Sequence, residues 1–146
     1  MTNSYPLSSE EFRSIYSRVP RLCVEVIIYT PEKGILLTRR SIEPAKGSWH
    51  TPGGGLLYKE SLENAVKRIA KKELGIDIEV VKQVGIIEAS FEDYFYHDVS
   101  VAIEVKSLSD EFTLDEHADE VAFFKELPSN LIPAQRDFLE KYMNIK

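Results

Sequence analysis

The chain has 146 residues, 43% of them hydrophobic and 29% charged, with a formal net charge of −6. That length and balance fit one domain over residues 1–146 around a single core, and the negative charge argues against a nucleic-acid binder, since phosphate contacts draw on clustered Lys and Arg. The opening residues, with Ser8, Glu10 and Glu11, lack the apolar core of a signal peptide and no stretch reaches membrane-span length, so the expectation is a cytoplasmic protein with no membrane partner.

In chain order, Ser8-Ser9-Glu10-Glu11 forms a capping box, and Phe12, Ile15, Tyr16 and Val19 follow at helical spacing, which predicts a short amphipathic helix over about 8–19. Residues 22–29 are apolar and β-branched, broken only by Glu25; residues 34–38 follow a Pro31-Glu32-Lys33-Gly34 turn, so the two runs predict a hairpin. Cys23 is the single cysteine, which excludes a disulfide framework, and in an apolar strand it reads as a core thiol rather than a nucleophile. Glu25 is either on an exposed strand face or a buried carboxylate that needs a partner. Arg39-Arg40 closes the second strand, as a solvated edge or as a bidentate grip on a pyrophosphate.

Residues 41–50 read as a loop, broken by Pro44 and Gly47 and anchored by Trp49. Thr51-Pro52-Gly53-Gly54 then opens a glycine-rich loop in which the main chain can approach a metal ion or a phosphate, or simply turn tightly. Ser61 caps a helix in which Leu62, Ala65, Val66, Ile69 and Ala70 recur at helical spacing, and Gly75 ends it as the left-handed residue. Residues three or four apart share a face, so Glu73 can aim its carboxylate back at the glycines beside Ile69 and Lys72, while Glu60 can approach Arg68.

Residues 78–81 and 84–89 predict one long or broken strand, and residues 96–105 a central one with Val99, Val101, Ile103 and Val105 on one face. Between them, Phe91, Tyr94, Phe95 and Tyr96 are either core or a hairpin tip that stacks on a base or sugar, and His97 shares that ambiguity. Residues 110–120 are the most acidic; they are a solvated loop or, around His117 with its imidazolium favoured among carboxylates, a place for a general base or metal ligand. Residues 121–124 form a last strand, and Pro133 starts a helix to about 143 that packs through Phe138, Leu139 and Tyr142.

Gly54, Glu60, Arg68, Ala70, Glu73, Gly75 and Ile76 resemble the Nudix hydrolase signature, here over residues 54–76, which runs Gly, five residues, Glu, seven residues, Arg-Glu-hydrophobic-x-Glu-Glu-x-Gly-hydrophobic. Ile69 and Lys72 stand where the family has glutamates, so this helix alone cannot build a multi-metal cage. The resemblance implies a Nudix α/β/α sandwich with a central mixed sheet, and a cleft where the Gly53 loop, Glu73 and the acidic loop converge. It also implies a divalent cation, Mg2+ or Mn2+, and a nucleoside-diphosphate substrate.

Within the family the chain is similar to the GDP-mannose mannosyl hydrolase branch, which also lacks two helix glutamates. There one magnesium is held by a glycine carbonyl, the surviving glutamate and a loop glutamine, a histidine is the base, and water attacks the sugar carbon. By position this assigns the metal contacts to Gly53, Glu73 and Glu116, the base to His117, and the contact that helps the diphosphate leave to Arg40. Substrate contacts fall to Arg39, Arg40, Glu25 and Trp49, and motif roles to Gly54, Glu60, Arg68 and Gly75. The pair Glu116-His117 matches the branch with a one-residue gap; without the gap His117-Ala118 matches and the base is missing. Two other readings stand beside this one: pyrophosphate cleavage of ADP-ribose or a nucleotide with loop carboxylates replacing the lost ones, and a domain that binds a nucleotide without turnover. By analogy with the branch, the N-terminal helix offers a homodimer contact.

Overall fold

The computed structural model describes residues 6–90 and 94–145. Its elements are α1 (Ser9–Tyr16), β1 (Arg21–Ile27), β2 (Tyr29–Thr30), β3 (Gly34–Arg40), β4 (Trp49–His50), β5 (Gly53–Gly55), α2 (Leu62–Leu74), β6 (Ile78–Ser90), β7 (His97–Ser107), β8 (Ala118–Phe124) and α3 (Pro133–Ile145). No helix among the described residues is long and apolar enough to cross a membrane.

The capping box forms: the Ser8 hydroxyl accepts the Glu11 N–H at 3.1 Å, and the Glu11 carboxylate accepts the Ser8 N–H at 2.9 Å. The helix it starts ends at Tyr16, short of Val19, because Ser17, Arg18 and Val19 turn back onto the Arg13 and Ile15 carbonyls ahead of Pro20.

Strands β5, β1, β7 and β6 make a mixed sheet in that order, with β1 and β7 parallel and the other pairs antiparallel. This is the expected α/β architecture, with β7 central. The remaining strands form a second, antiparallel sheet in which β2, β4 and β8 all pair with β3. The hairpin expected from residues 22–29 and 34–38 is therefore reduced to Tyr29 and Thr30 on β3, because both edges of β1 are already taken by β5 and β7. The glycine stretch expected as a loop is strand β5.

α2 and α3 cover opposite faces of the mixed sheet. Val24 and Val26 of β1 pack with Ala65, Val66, Ile69, Ala70 and Leu74 of α2, whereas Ile27 packs with Leu139 and Tyr142 of α3. Burial on both faces explains the near-continuous apolar run of β1. Val66, Ile69 and Leu74 of α2 are almost completely removed from water, each contributing about 1.5–3 kcal/mol. The Ser61 hydroxyl accepts the Asn64 N–H at 3.1 Å at one end of α2, and Gly75 closes the other at φ 69°. Residues 78–90 form one strand carrying two register shifts. Cys23 is buried in β1 and burial pushes its thiol up, as fits a core residue. Phe91 lies outside the described residues.

Candidate active site

The site is built on the free edge of β5. Val26 N–H donates to Pro52 O at 2.8 Å and Leu56 N–H to Leu22 O at 3.0 Å, so residues 52, 54 and 56 turn their main-chain groups to β1. Alternation then turns those of Gly53 and Gly55 outward. Gly53 N–H donates to Glu73 Oε1 at 3.3 Å, and Gly55 O accepts from Arg68 Nη2 at 2.8 Å. Arg68 also grips Glu60 with two bonds of 2.7 and 3.0 Å, and Glu60 accepts the Leu57 N–H at 3.1 Å. The Arg68 guanidinium holds Glu60 below the usual carboxylate range. Glu60 and Arg68 thereby splint the turn between β5 and α2.

Glu73 is half-buried, and its carboxyl is pushed up to about 8, first by burial, then by the neighbouring Asp115 and Glu25 carboxylates, against the opposing pull of Lys72 and the Gly53 N–H. Ile69 is buried, and a Cβ added at Gly54 would meet its side chain at 3.5 Å. Lys72 Nζ sits 3.2 Å from Asp115 Oδ2, so its charge is engaged by the acidic loop.

That loop is pinned to the end of α2. Thr113 N–H donates to Leu74 O at 2.9 Å, and a Cβ at Gly75 would meet the Thr113 side chain at 3.0 Å. Phe112 and Leu114 pack on the core beneath. The next residue, Asp115, accepts the His117 main-chain N–H at 3.0 Å and lies 3.0 Å from His117 Nδ1. Burial alone would push Asp115 up, but the His117 N–H and imidazole and the Lys72 ammonium hold it below the usual carboxylate range. Ligand atoms of Asp115, Glu116 and His117 lie within 4.8 Å of one another. The Asp115 side chain is 12% exposed and that of Glu116 75%, so Asp115, which the sequence reading did not single out, is the loop carboxylate turned towards Glu73.

A cavity of about 480 Å³ opens over this edge, a volume suited to a small-molecule ligand. Gly53, Glu73, Lys72, Arg68, Arg40 and His117 line it, with His50, Arg21, Phe12, Tyr94 and Tyr96 around the far side. Arg40 donates to Pro44 O at 2.5 Å. Arg39 and Trp49 do not line the cavity, contrary to the expected substrate contacts. Strand alternation sends Arg39 to the other face of β3, where it is paired with Asp119 at 2.9 Å and Glu120 at 3.1 Å. Trp49 pairs with Arg39 across β4 and packs in the core on Phe124. Its neighbour His50 takes the opposite face and enters the cavity. Burial, then Arg40 and His117, push His50 down to about 3, so it is a neutral imidazole. His97 is exposed at the start of β7.

Glu25 proves to be a buried carboxylate with partners. Its Oε1 accepts from Thr51 Oγ1 at 2.7 Å and from Gln135 Nε2 at 3.3 Å, and burial is the main cause that pushes it up to about 7. It lies directly behind Gly53, where an added Cβ would run into its carboxylate. Arg21 is locked onto Asp98 by bonds of 2.9 and 3.0 Å, with its guanidinium 4.7 Å from the Tyr96 ring centre. Gln135 and Arg21 gave no sequence signal, since each partner lies far along the chain.

Glu73 and Asp115 are hard oxygen donors at this edge, where burial and the neighbouring Asp115 and Glu25 carboxylates raise the Glu73 carboxyl while the Gly53 N–H opposes the rise. A divalent cation fits such a donor set, because it relieves the repulsion.

A glycine strand, a capped helix returning a carboxylate to it, and an acidic loop closing over both define an α/β domain with a polar small-molecule cleft. Residues 19–142 match the family model described as the NUDIX domain, and the chain belongs to that family. It is 28% identical over 144 residues to the low-salt glycan biosynthesis protein Agl8 of Haloferax volcanii, covering 94% of this chain and 89% of that protein. It is 31% identical over 105 residues to an ADP-ribose pyrophosphatase of Methanocaldococcus jannaschii, covering 72% of this chain and 62% of that one. Among solved structures it superposes on the MutT NUDIX hydrolase of Burkholderia pseudomallei with a TM-score of 0.75 at 28% identity, over 84% of this chain and 97% of that chain.

Proposed function

We propose that the protein hydrolyses a nucleoside-diphosphate sugar, of the kind represented by GDP-mannose, with water attacking the sugar carbon and the nucleoside diphosphate leaving. The observation that carries this reading is the single helix carboxylate at the cleft. Ile69 is buried and Lys72 is engaged by Asp115, so Glu73 alone of the three family positions presents a carboxylate to Gly53. Attack on phosphorus draws on several cations around the bridging oxygens, whereas departure of a diphosphate from carbon needs its charge neutralised and a base for the water.

The Gly53 main chain and Glu73 would hold Mg2+ or Mn2+, with Asp115 as the nearer loop carboxylate and Glu116 as an outer one, and the ion would supply charge against the leaving diphosphate. Asp115 against Nδ1 favours the tautomer that leaves His117 Nε2 able to take a proton from water. Arg40 offers its guanidinium to the diphosphate, while Glu25 sits behind Gly53, outside the main cavity and on a smaller pocket that shares Arg40, His50 and Gly53 with it. The relative with a glycan-biosynthesis name supports this substrate class, since glycans are assembled from nucleotide sugars.

A second reading, pyrophosphate cleavage of ADP-ribose or a nucleotide, is favoured by Asp115 beside Glu73 as a substitute carboxylate, and by the relative named an ADP-ribose pyrophosphatase. Mass spectrometry of products formed in oxygen-18 water separates the two. Label in the free sugar is expected; label in the nucleotide phosphate would replace the first reading with the second.

A further inference from the structure

We propose that Gln135, at the start of α3, is a positioning residue that sets the direction of the Gly53 main chain at the site. The proposal rests on the reading of the Gly53 edge as part of the site, and not on the choice of substrate.

Gln135 is 6% exposed, and a buried amide is costly unless both its ends are paired. Both ends are used, one on the segment ahead of β5 and the other on β1. Its Oε1 accepts the Thr51 main-chain N–H at 2.8 Å, and its Nε2 donates to Glu25 at 3.3 Å, across 84 and 110 residues of sequence. The amide orientation follows, because a main-chain N–H can only donate.

Thr51 itself is 0% exposed, and its hydroxyl donates to the same Glu25 oxygen at 2.7 Å. Gln135, Thr51 and Glu25 thus close a ring of hydrogen bonds behind Gly53. Pro52 has no N–H, so the donor tether of this segment is the Thr51 N–H, and the Pro52 carbonyl is held by Val26 N–H at 2.8 Å. With residues 51 and 52 fixed, the next peptide faces outward to Glu73. The start of α3 is itself tied to β4, since Trp49 N–H donates to Asn130 O at 3.0 Å and Ile132 N–H to Trp49 O at 2.9 Å. Gln135 therefore joins the C-terminal helix to the site.

Amide hydrogen exchange by NMR tests this on the metal-free chain. In Gln135→Met, exchange at Gly53 is expected to quicken on the order of 10-fold relative to Leu36, whose N–H donates to Ile28 O in the core. In Gln135→Glu the Thr51 amide keeps an acceptor while Glu25 faces a second carboxylate, so Gly53 quickens and Thr51 does not. Thr51→Val keeps its main-chain bond to Gln135 and loses only the hydroxyl bond to Glu25, so Gly53 quickens less than in Gln135→Met, and Thr51→Ser behaves as the parent chain. If Gly53 is unchanged in Gln135→Met, or quickens only in step with Leu36, Gln135 merely stabilises the fold and the proposal falls.

Mn2+ titration followed by electron paramagnetic resonance gives a second readout, with about 10-fold weaker binding expected in Gln135→Met. A parent chain that binds no Mn2+ would sink the metal reading, while the exchange data would still decide the role of Gln135.

Discussion

The Glu73 carboxylate accepts the Gly53 main-chain N–H at 3.3 Å, joining the last turn of the signature helix to the free edge of β5. Twenty residues separate the two, and the contact exists only because α2 folds back across the sheet and returns its final turn to the strand that precedes it. Burial and the carboxylates of Asp115 and Glu25 make the ionised form of Glu73 unfavourable here.

A pH dependence follows. The Glu73 carboxyl is raised from its ordinary 4.5 to about 8, so the folded state holds this proton more tightly than the unfolded chain. Its stabilising contribution is complete below about pH 4.5 and is lost as pH rises through about 8. Glu25, raised to about 7, adds to the loss over a narrower window. The metal-free protein is therefore expected to become less stable as pH rises from 5 to 8, by up to about 1.36 kcal/mol per pKa unit for each group. Thermal melts across that range should show a shallower slope and a higher midpoint at pH 8 in Glu73→Gln. A parent chain with no slope would refute the assignment.

The same variant should lose hydrolysis while remaining folded. Removing the charge removes the one helix carboxylate available to a cation, so Glu73→Gln is expected to bind Mn2+ at least about 10-fold more weakly and to lose most of its turnover. Calorimetric titration with Mn2+ beside a steady-state assay checks both effects.

His117 and Asp115 should be separable by kinetics. Loss of a positioned base costs about 100- to 10,000-fold in rate, expected for His117→Ala in kcat. Asp115→Asn keeps a partner for the imidazole but leaves Lys72 only the more distant Glu116 carboxylate at 3.9 Å, so it is expected to lower kcat less than His117→Ala and to shift the pH–rate profile. Equal kcat in the parent chain and His117→Ala would remove His117 from the base role.

Gly53 should tolerate no side chain. A methyl group there would occupy the space of the Glu25 carboxylate, which is itself held by Thr51 and Gln135. Gly53→Ala is expected to destabilise by about 1–3 kcal/mol, the usual cost of overpacking. Gly53→Ala combined with Glu25→Ala should recover part of that loss, which denaturant unfolding of the single and double variants would measure.

Arg68 should act through the turn rather than through chemistry. Arg68→Met removes both bonds to Glu60 and the bond to Gly55 O, leaving Glu60 with the Leu57 N–H, so a loss of about 1–3 kcal/mol is expected from unfolding curves.

What the amino-acid order decided by itself were the features whose cause is local. Ser8 and Glu11 form their capping box and Ser61 and Gly75 bound α2, because caps act within a few residues of chain, and Glu60 meets Arg68 over a separation of eight residues. The spacing of Gly54, Glu60, Arg68, Glu73 and Gly75 carried the family for the same reason.

Long-range packing decided the rest. Whether residues 22–29 pair with residues 34–38 depends on β5 and β7 occupying the two edges of β1, and nothing near β1 records that. Which of two adjacent arginines enters the cleft is set by the pleat of β3, which turns Arg40 inward and Arg39 out to Asp119 and Glu120. Asp115 is half-buried where Glu116 is exposed, in a loop whose Thr113 is fastened to the end of α2. Glu25 is buried with partners because Gln135 arrives from the opposite end of the chain. In each case the deciding contact joins segments far apart in sequence, which only the folded chain places side by side.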